Sequence, residues 1–147
     1  MKLQIASRLA VYALVELAAD PDRQLSVAEI GEIYGVSAHH LAKVMHTLGR
    51  ANLVRSVRGA GGGYKFCGNA RRTTLLDVIE LFESISESDL AEEHAGTDVS
   101  DAFRRVLDEV DDIARATLGS ITLATLLKLV NRQPAETSED ERPTVSV

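Results

Sequence analysis

Residues Val27 to Phe66 read VAEIGEIYGVSAHHLAKVMHTLGRANLVRSVRGAGGGYKF and decide the fold. Two segments with helical spacing of apolar residues are separated by Gly35, and two short apolar runs then flank a glycine-rich loop. This order predicts a helix-turn-helix followed by a β-hairpin wing. The fold class expected is therefore mainly α with a small β-hairpin, a winged helix-turn-helix.

The first part of this stretch has the residue types that a helix-turn-helix needs at its apolar, small and turn positions. Such a motif needs apolar residues where two helices meet, a small residue at their close approach and a tight turn between them. Gly31 supplies the small residue and Gly35 the turn, and Ser26 with Glu29 predicts a capping box at the first helix. The apolar positions are Ile30, Tyr34, Val36, Leu41 and Val44. An ordinary corner between two helices is the alternative.

The second helix of the motif, predicted at about Ala38 to Ala51, has one apolar and one polar face. At helical spacing the polar face carries His39, Lys43, His46 and Arg50, with His40 beside them. No Asp or Glu occurs between Ala38 and Val57. A face of hydrogen-bond donors without acids suits a helix lying in the major groove of DNA, whereas a merely solvated face is the alternative.

The hairpin adds a second group of candidate DNA contacts. Basic residues stand on both sides of the loop, and glycine lets a backbone approach a partner closely. Arg58 at the base of the loop is the candidate for the minor groove. A phosphate-cradling nucleotide loop is the competing interpretation, but the GK[ST] signature that it needs is missing. The candidate contacts of the wing are Arg55, Arg58, Gly61, Tyr64 and Lys65.

The charge distribution supports nucleic acid as a partner. Up to Arg72 the chain has 10 Lys or Arg against 5 Asp or Glu, and from Thr73 onward it has 6 against 17. The net charge of −6 therefore conceals a basic first half. Such asymmetry between the two halves of a chain indicates a nucleic-acid-binding half.

The remaining segments predict three further helices around the motif. A buried first helix is expected over Leu3 to Ala19, a helix after the wing from Thr73 or Thr74 to about Ser84, and a final short helix from Ser120 or Thr122 to about Val130. Four parts are therefore expected: a DNA-binding domain at 1–85, an acidic loop at 86–98, dimerisation helices at 99–132 and a disordered acidic tail at 133–147.

A helix between the acidic loop and Gly119 is predicted from its apolar spacing. Apolar residues recur there at alternating intervals of four and three, with charged residues elsewhere, which is typical of the seam between two paired helices. We expect this seam to form a homodimer, although it could instead be the core face of a helical bundle. Its residues are Val99, Phe103, Val106, Val110, Ile113 and Thr117.

The segments VSAHHLAKV at 36–44 and RGAGGGY at 58–64 resemble the Rrf-type winged-helix transcription regulators (IscR/NsrR-like). The resemblance covers about residues 1 to 130. It implies a dimer joined through the Val99–Leu118 helix, with the second helix of the motif in the major groove and Arg58 in the minor groove. Cluster-binding members of the family carry three cysteines before the dimer helix, and Ser86 to Ser100 contains none. An iron–sulfur cluster of the usual kind is therefore not expected, while an unusual one is not excluded.

Other chemistry finds little support in the sequence. Cys67 is the single cysteine, which fits a reducing cytoplasm, and it is a candidate redox sensor because cations are close in sequence. His39 and His46 would lie about 10.5 Å apart along a helix, too far to share a metal ion. No catalytic arrangement and no membrane-spanning apolar run are visible. We therefore expect no enzyme, no metal site, no resident cofactor and no membrane location.

These observations predict a cytoplasmic, homodimeric repressor that binds double-stranded DNA at a two-fold operator, with an effector that the sequence does not identify. Two alternatives stay open. One is a winged-helix module that binds another protein rather than specific DNA. The other is a redox- or metal-responsive regulator that senses through Cys67.

Overall fold

A computed structural model describes residues 1–59, 62–85 and 96–132. Three predicted features lie outside these residues: Gly61 of the wing, most of the acidic loop and the tail at 133–147. The elements confirm a mainly helical winged helix with a two-stranded antiparallel sheet. In chain order they are α1 Ile5–Ala19, α2 Val27–Tyr34, α3 Ala38–Arg50, β1 Val54–Val57, β2 Gly63–Phe66, α4 Leu75–Ile79, α5 Asp98–Ser120 and α6 Leu123–Arg132.

Helix α1 occupies the centre of the core. Its small residues Ala10 and Ala13 are completely buried, which lets neighbouring helices approach closely, and Leu14 and Leu17 fill the space beside them. It packs against α3, α4, α6 and β2. The predicted burial of this helix is confirmed except along one strip, where Ile5 is 61% and Tyr12 37% exposed.

The helix-turn-helix forms through the local signals that its sequence contains. The Ser26 hydroxyl accepts from the Glu29 amide at 3.1 Å, and the Glu29 carboxylate accepts from the Ser26 amide at 2.8 Å, which confirms the capping box. Gly35 ends α2 with a left-handed φ of 67°, and Ser37 caps α3. Ile30 and Leu41 are fully buried where α2 and α3 meet.

The turn between α2 and α3 requires glycine at position 31. A Cβ atom on Gly31 would lie 2.6 Å from the Val36 carbonyl oxygen, a backbone atom that cannot move without opening the turn. The Val36 amide donates to the Gly31 carbonyl at 3.0 Å, so the two residues are tied together by the same turn. The small residue predicted from the motif is therefore a steric requirement.

Replacing Gly31 by alanine should destabilise the protein by about 1–3 kcal/mol, since the added methyl group overpacks a rigid turn. Gly49→Ala is the matched control, because its Cβ would meet nothing closer than the Val54 carbonyl at 3.9 Å. Since Gly49 lies within α3, that control should be neutral or stabilising by up to about 1 kcal/mol. Urea unfolding measures both values, and equal effects of the two variants would contradict the steric argument.

The helix after the wing is much shorter than predicted. Helix α4 spans Leu75–Ile79, and the chain then tightens through hydrogen bonds of the Leu81 and Phe82 amides to carbonyls three residues earlier. Glu83 accepts from the Gln4 amide at 2.8 Å and from the buried Ser7 hydroxyl. The predicted extension to Ser84 was wrong, since α4 ends at Ile79 and the chain continues as a turn, from which the Glu83 carboxylate reaches the start of α1.

Helix α5 differs from its prediction at both ends. It begins at Asp98, inside the predicted loop, where Thr97 and Ser100 form a capping box. It passes through Gly119 to Ser120, so the predicted break at Gly119 was wrong. A Cβ at position 119 would lie 3.4 Å from the Leu76 side chain, an ordinary contact, so the helix accommodates this glycine at a cost of about 1 kcal/mol in helix propensity.

Helix α6 returns to the winged-helix unit. Leu123 is completely buried in the core around α1, and Leu127 packs against the same cluster. Backbone hydrogen bonds join the Leu123 amide to Thr73 and the Ala124 amide to Ala70. Helix α6 therefore packs against the winged-helix unit, and the grouping of 99–132 as dimerisation helices stays a prediction.

One long side of α5 is left uncovered. No residue of this 23-residue helix is buried, and its predicted seam is exposed: Val99 80%, Phe103 54%, Val106 56%, Val110 54% and Ile113 61%. Thr117 at its end is also exposed, and its hydroxyl donates to the Ile113 carbonyl. The described chain therefore does not use this seam as the core face of its own bundle.

Candidate nucleic-acid interface

The outward face of α3 presents the predicted donors to solvent. His39, Lys43, His46 and Arg50 are all exposed, whereas Leu41, Val44, Met45 and Leu48 are buried on the opposite side. His40 is half-buried, and its amide takes part in the cap at Ser37. The four exposed residues therefore form the face that a DNA groove could contact, and His40 lies at the margin of this face.

The wing places two positive charges directly opposite each other. In the antiparallel register Arg55 of β1 pairs with Lys65 of β2, while Val54 pairs with Phe66 on the buried side. Like charges at such a pair destabilise a sheet by up to about 1 kcal/mol. This repulsion is relieved when the pair meets a polyanion, which is the arrangement expected where a strand contacts phosphate groups.

The cations of α3 and the wing have no acidic partner among the residues that the structure describes. An ion pair joins Arg115 of α5 to Glu80 at the end of α4, and these residues do not belong to this surface. Within the described ranges, no carboxylate lies within 4.0 Å of the charged groups of Lys43, Arg50, Arg55, Arg58 or Lys65. The surface thus offers its full positive charge to a partner.

The glycines of the wing serve the fold as well as any partner. A Cβ on Gly63 would lie 2.5 Å from the Leu25 carbonyl oxygen, and one on Gly62 would lie 2.9 Å from that of Val57. We predicted from the sequence only that they allow a partner to approach. The structure shows that Gly63 lets the hairpin approach the segment before α2 and that Gly62 lets the hairpin loop close on itself, two requirements that the glycine run alone does not reveal.

Tyr64 anchors the wing. Its amide donates to the Leu25 carbonyl at 2.8 Å, the Leu25 amide donates back at 3.0 Å, and its half-buried ring packs against the core. The sequence prediction did not separate this structural role from a DNA contact. Arg58 and Gly59 are exposed at the start of the loop.

Removing one of the opposed cations of the wing should raise the stability of the free protein and lower its affinity for DNA. Arg55→Gln should stabilise the free protein by about 0.2–1 kcal/mol, because it removes the cross-strand repulsion with Lys65. The same variant should weaken binding to duplex DNA and reduce its salt dependence, because one phosphate contact is lost. Thermal unfolding and fluorescence polarisation with labelled duplex measure the two effects. A variant that is less stable and binds equally well would contradict the assignment.

Comparison with known proteins assigns this winged helix. The family model Rrf2, described as an iron-dependent transcriptional regulator, matches residues 3–129. The chain belongs to the Rrf2 family. The resemblance inferred from the recognition helix and the wing is thereby confirmed, and the protein is a DNA-binding transcription regulator rather than an enzyme.

Relatives of this Rrf2 protein include a curated sequence and solved structures. A protein of Rhodopseudomonas palustris provisionally named HTH-type transcriptional regulator BadM is 45% identical over 140 residues, covering 93% of this chain and 88% of its own. CymR, the global cysteine regulator of B. subtilis, has a TM-score of 0.74 at 27% identity, over 88% of this chain and 98% of its own. T. potens IscR has a TM-score of 0.68 at 28% identity, over 92% and 93%.

The donor set of this Rrf2 protein does not fit the three-cysteine iron–sulfur cluster that the resemblance implies for cluster-binding members. Such clusters are held mainly by cysteine thiolates, and the chain has one cysteine. Cys67 is exposed just after β2, with its thiol donating to the Asn52 carbonyl at 3.4 Å. Within the described ranges, no three His, Cys, Asp or Glu side chains are grouped to hold a metal ion.

The same described ranges contain no helix that is both long and apolar enough to span a bilayer.

Proposed function

We propose that this Rrf2 protein is a homodimeric repressor that binds a two-fold operator and occludes a promoter. The observation that carries the proposal is the surface formed by α3 and the wing, where exposed cations meet no described carboxylate. The cytoplasmic location expected from the sequence goes with this proposal, because a regulator acts where its DNA lies.

Each part of the surface has a distinct task in the proposed complex. His39 and Lys43, near the N-terminal end of α3, would contact base edges in the major groove, as recognition helices do with their first turns. Arg50, Arg55 and Lys65 would contact phosphates, which fix position without reading sequence. Arg58 would enter the adjacent minor groove, where arginine responds to the narrow width of A·T-rich DNA.

The exposed stripe of α5 supports the homodimer. Five large apolar side chains along one side of a helix, each more than half exposed, form a surface that water solvates poorly. A second copy of the same helix would bury them in an a/d seam. The acidic residues of α5 lie outside the stripe, so pairing would leave them in solvent and facing away from DNA.

A charge placed in the stripe should separate the dimer. Val110→Glu would bury a carboxylate among apolar side chains, so we expect a monomer at micromolar concentration by light scattering. Arg104→Gln is the control, since it changes the net charge by the same amount on an exposed position outside the stripe. A wild-type protein that is itself monomeric would contradict the dimer, and a Val110→Glu protein that stays dimeric would exclude this seam.

Selection of bound fragments from the source genome tests the whole proposal. With reduced wild-type protein at physiological salt, we expect enrichment of an inverted repeat whose half-sites lie about one helical turn apart. Affinity should fall by about 10³–10⁵ between 50 and 200 mM salt if six to ten phosphates are contacted. Binding without enrichment, or without salt dependence, would contradict a sequence-specific regulator and favour the protein-interaction module.

Two variants refine this selection. Lys43→Ala should cost about 1–3 kcal/mol at the enriched site and relax the preference at one base pair. Arg71→Ala is the control, because this exposed arginine follows the wing and lies outside the proposed surface. Transcription from the enriched promoter, with and without the protein, then distinguishes repression from activation.

A further inference from the structure

A cavity lies beside the exposed strip of α1, away from the proposed DNA surface. Its volume is about 390 Å³, within the usual range for small-molecule sites. The walls come from residues before α1, from α1, from α4 and from the end of α5, and they are mostly apolar. The apolar wall residues are Met1, Leu3, Val11, Leu75, Ile79 and Leu118.

Positive charge accompanies these apolar walls. Lys2 and Arg8 also line the cavity, and no acidic residue does. Both side chains are exposed, and neither forms an ion pair with a described carboxylate. Lys2 also borders the adjoining cavity that contains Glu83 and Asp111, so Arg8 is the cation that distinguishes this cavity and favours an anion in it.

From these features we propose that the cavity binds a small amphipathic anion, a carboxylate with an apolar body, and that this ligand controls operator binding. The control rests on the function proposed above, whereas the site itself does not. Since one water takes up about 30 Å³ in the liquid, the cavity holds a ligand of about a dozen non-hydrogen atoms. The body would lie against the apolar walls, and the carboxylate would accept from the Arg8 guanidinium and the Lys2 ammonium.

Tyr12 connects the cavity to the helix-turn-helix. Its ring lines the cavity and stacks on the ring of Tyr34 in α2, with centroids 5.1 Å apart and planes at 19°. The Tyr34 hydroxyl donates to the Glu16 carboxylate of α1 at 2.6 Å. Burial raises the pKa of Tyr34, and the hydrogen bond and charge of Glu16 raise it further, so the hydroxyl stays a donor at neutral pH.

The cavity also touches the proposed dimer helix. Leu118 belongs to α5 and Leu75 to α4, so a bound ligand would contact the supports of both the DNA-binding face and the seam. If a ligand favours a placement of these helices that binds the operator more or less tightly, operator affinity changes, and DNA changes ligand affinity by the same factor. The cavity is thus placed where occupancy would be transmitted to DNA.

Calorimetric titration of the full-length protein with octanoate tests the site. Octanoate has about the size of the cavity, and octanamide and octylammonium have the same apolar body without the negative charge. We expect octanoate to bind once per chain and octanamide at least about tenfold more weakly, because the charge-assisted hydrogen bonds are lost. Octylammonium should not bind. Equal binding of all three would reduce the cavity to an unselective apolar surface and overturn the anion site.

Two variants locate the binding. Arg8→Gln should weaken octanoate at least about tenfold, whereas Arg23→Gln, an exposed arginine in the turn after α1, should leave it unchanged. Val11→Phe should abolish binding by filling the cavity, and it keeps both cations. If the folded wild-type protein does not bind octanoate, the proposed site is overturned. That result is expected if a second copy of the chain fills the cavity.

Operator affinity measured with and without octanoate tests the control. We expect a change of about fivefold or more in wild type. In Tyr34→Leu, which removes the stacking partner of Tyr12 but no wall of the cavity, octanoate should still bind while that change is lost. Octanoate binding with no effect on operator affinity would overturn the control. Failure to select any operator, with octanoate binding intact, would contradict the proposed repressor and leave the site standing.

Discussion

Close packing on the alanine and leucine side of α1 is the constraint on which the winged-helix unit depends. Helices α3, α4 and α6 and strand β2 all contact this one helix. Ala10 and Ala13 have no exposed surface, so these small side chains are fully enclosed by the neighbouring elements. Burial of a leucine such as Leu14 contributes about 1.5–3 kcal/mol. Because α3 and β2 share this support, the recognition face and the wing keep a fixed relation to each other.

Electrostatics divide the molecule between two tasks. Where the cross-strand pair Arg55 and Lys65 faces outward, the protein accepts a local repulsion that a partner relieves. Along α5 the negative charges surround an apolar stripe, and they would repel a phosphate backbone while the stripe pairs with another copy. The chain therefore has opposite charge on the part proposed for DNA and the part proposed for assembly, which orients an approaching duplex before any base is read.

Sequence patterns predicted the elements whose signals are local. The capping box of Ser26 and Glu29, the left-handed Gly35 and the two-faced α3 depend on residues within one or two turns, and each was readable. The failures involve distant partners. After α4 ends, the Glu83 carboxylate accepts from Ser7, which lies 76 residues earlier, and α5 continues through Gly119 where it packs beside α4.

The candidate site divides in the same way. The donors of α3 were predictable because helical periodicity decides which side chains point outward. The anchoring role of Tyr64 and the close approach of Gly63 to Leu25 depend on a bridge between segments far apart in the chain. The cavity beside α1 was not predictable residue by residue, because it combines the first residues of the chain with α4 and the end of α5.

The return of α6 has a consequence for the order of events during synthesis. Leu123 completes a core whose other members begin at Leu9, so the last wall of the domain leaves the ribosome long after the recognition helix and the wing. Contacts of such large sequence separation are slow to form, since the loop between them must close first. Until α6 docks, the face of α1 that it covers is open to solvent. In a nascent chain, α3 and the wing would thus be synthesised early, whereas α6, which completes the core beneath them, would follow only near the end of translation.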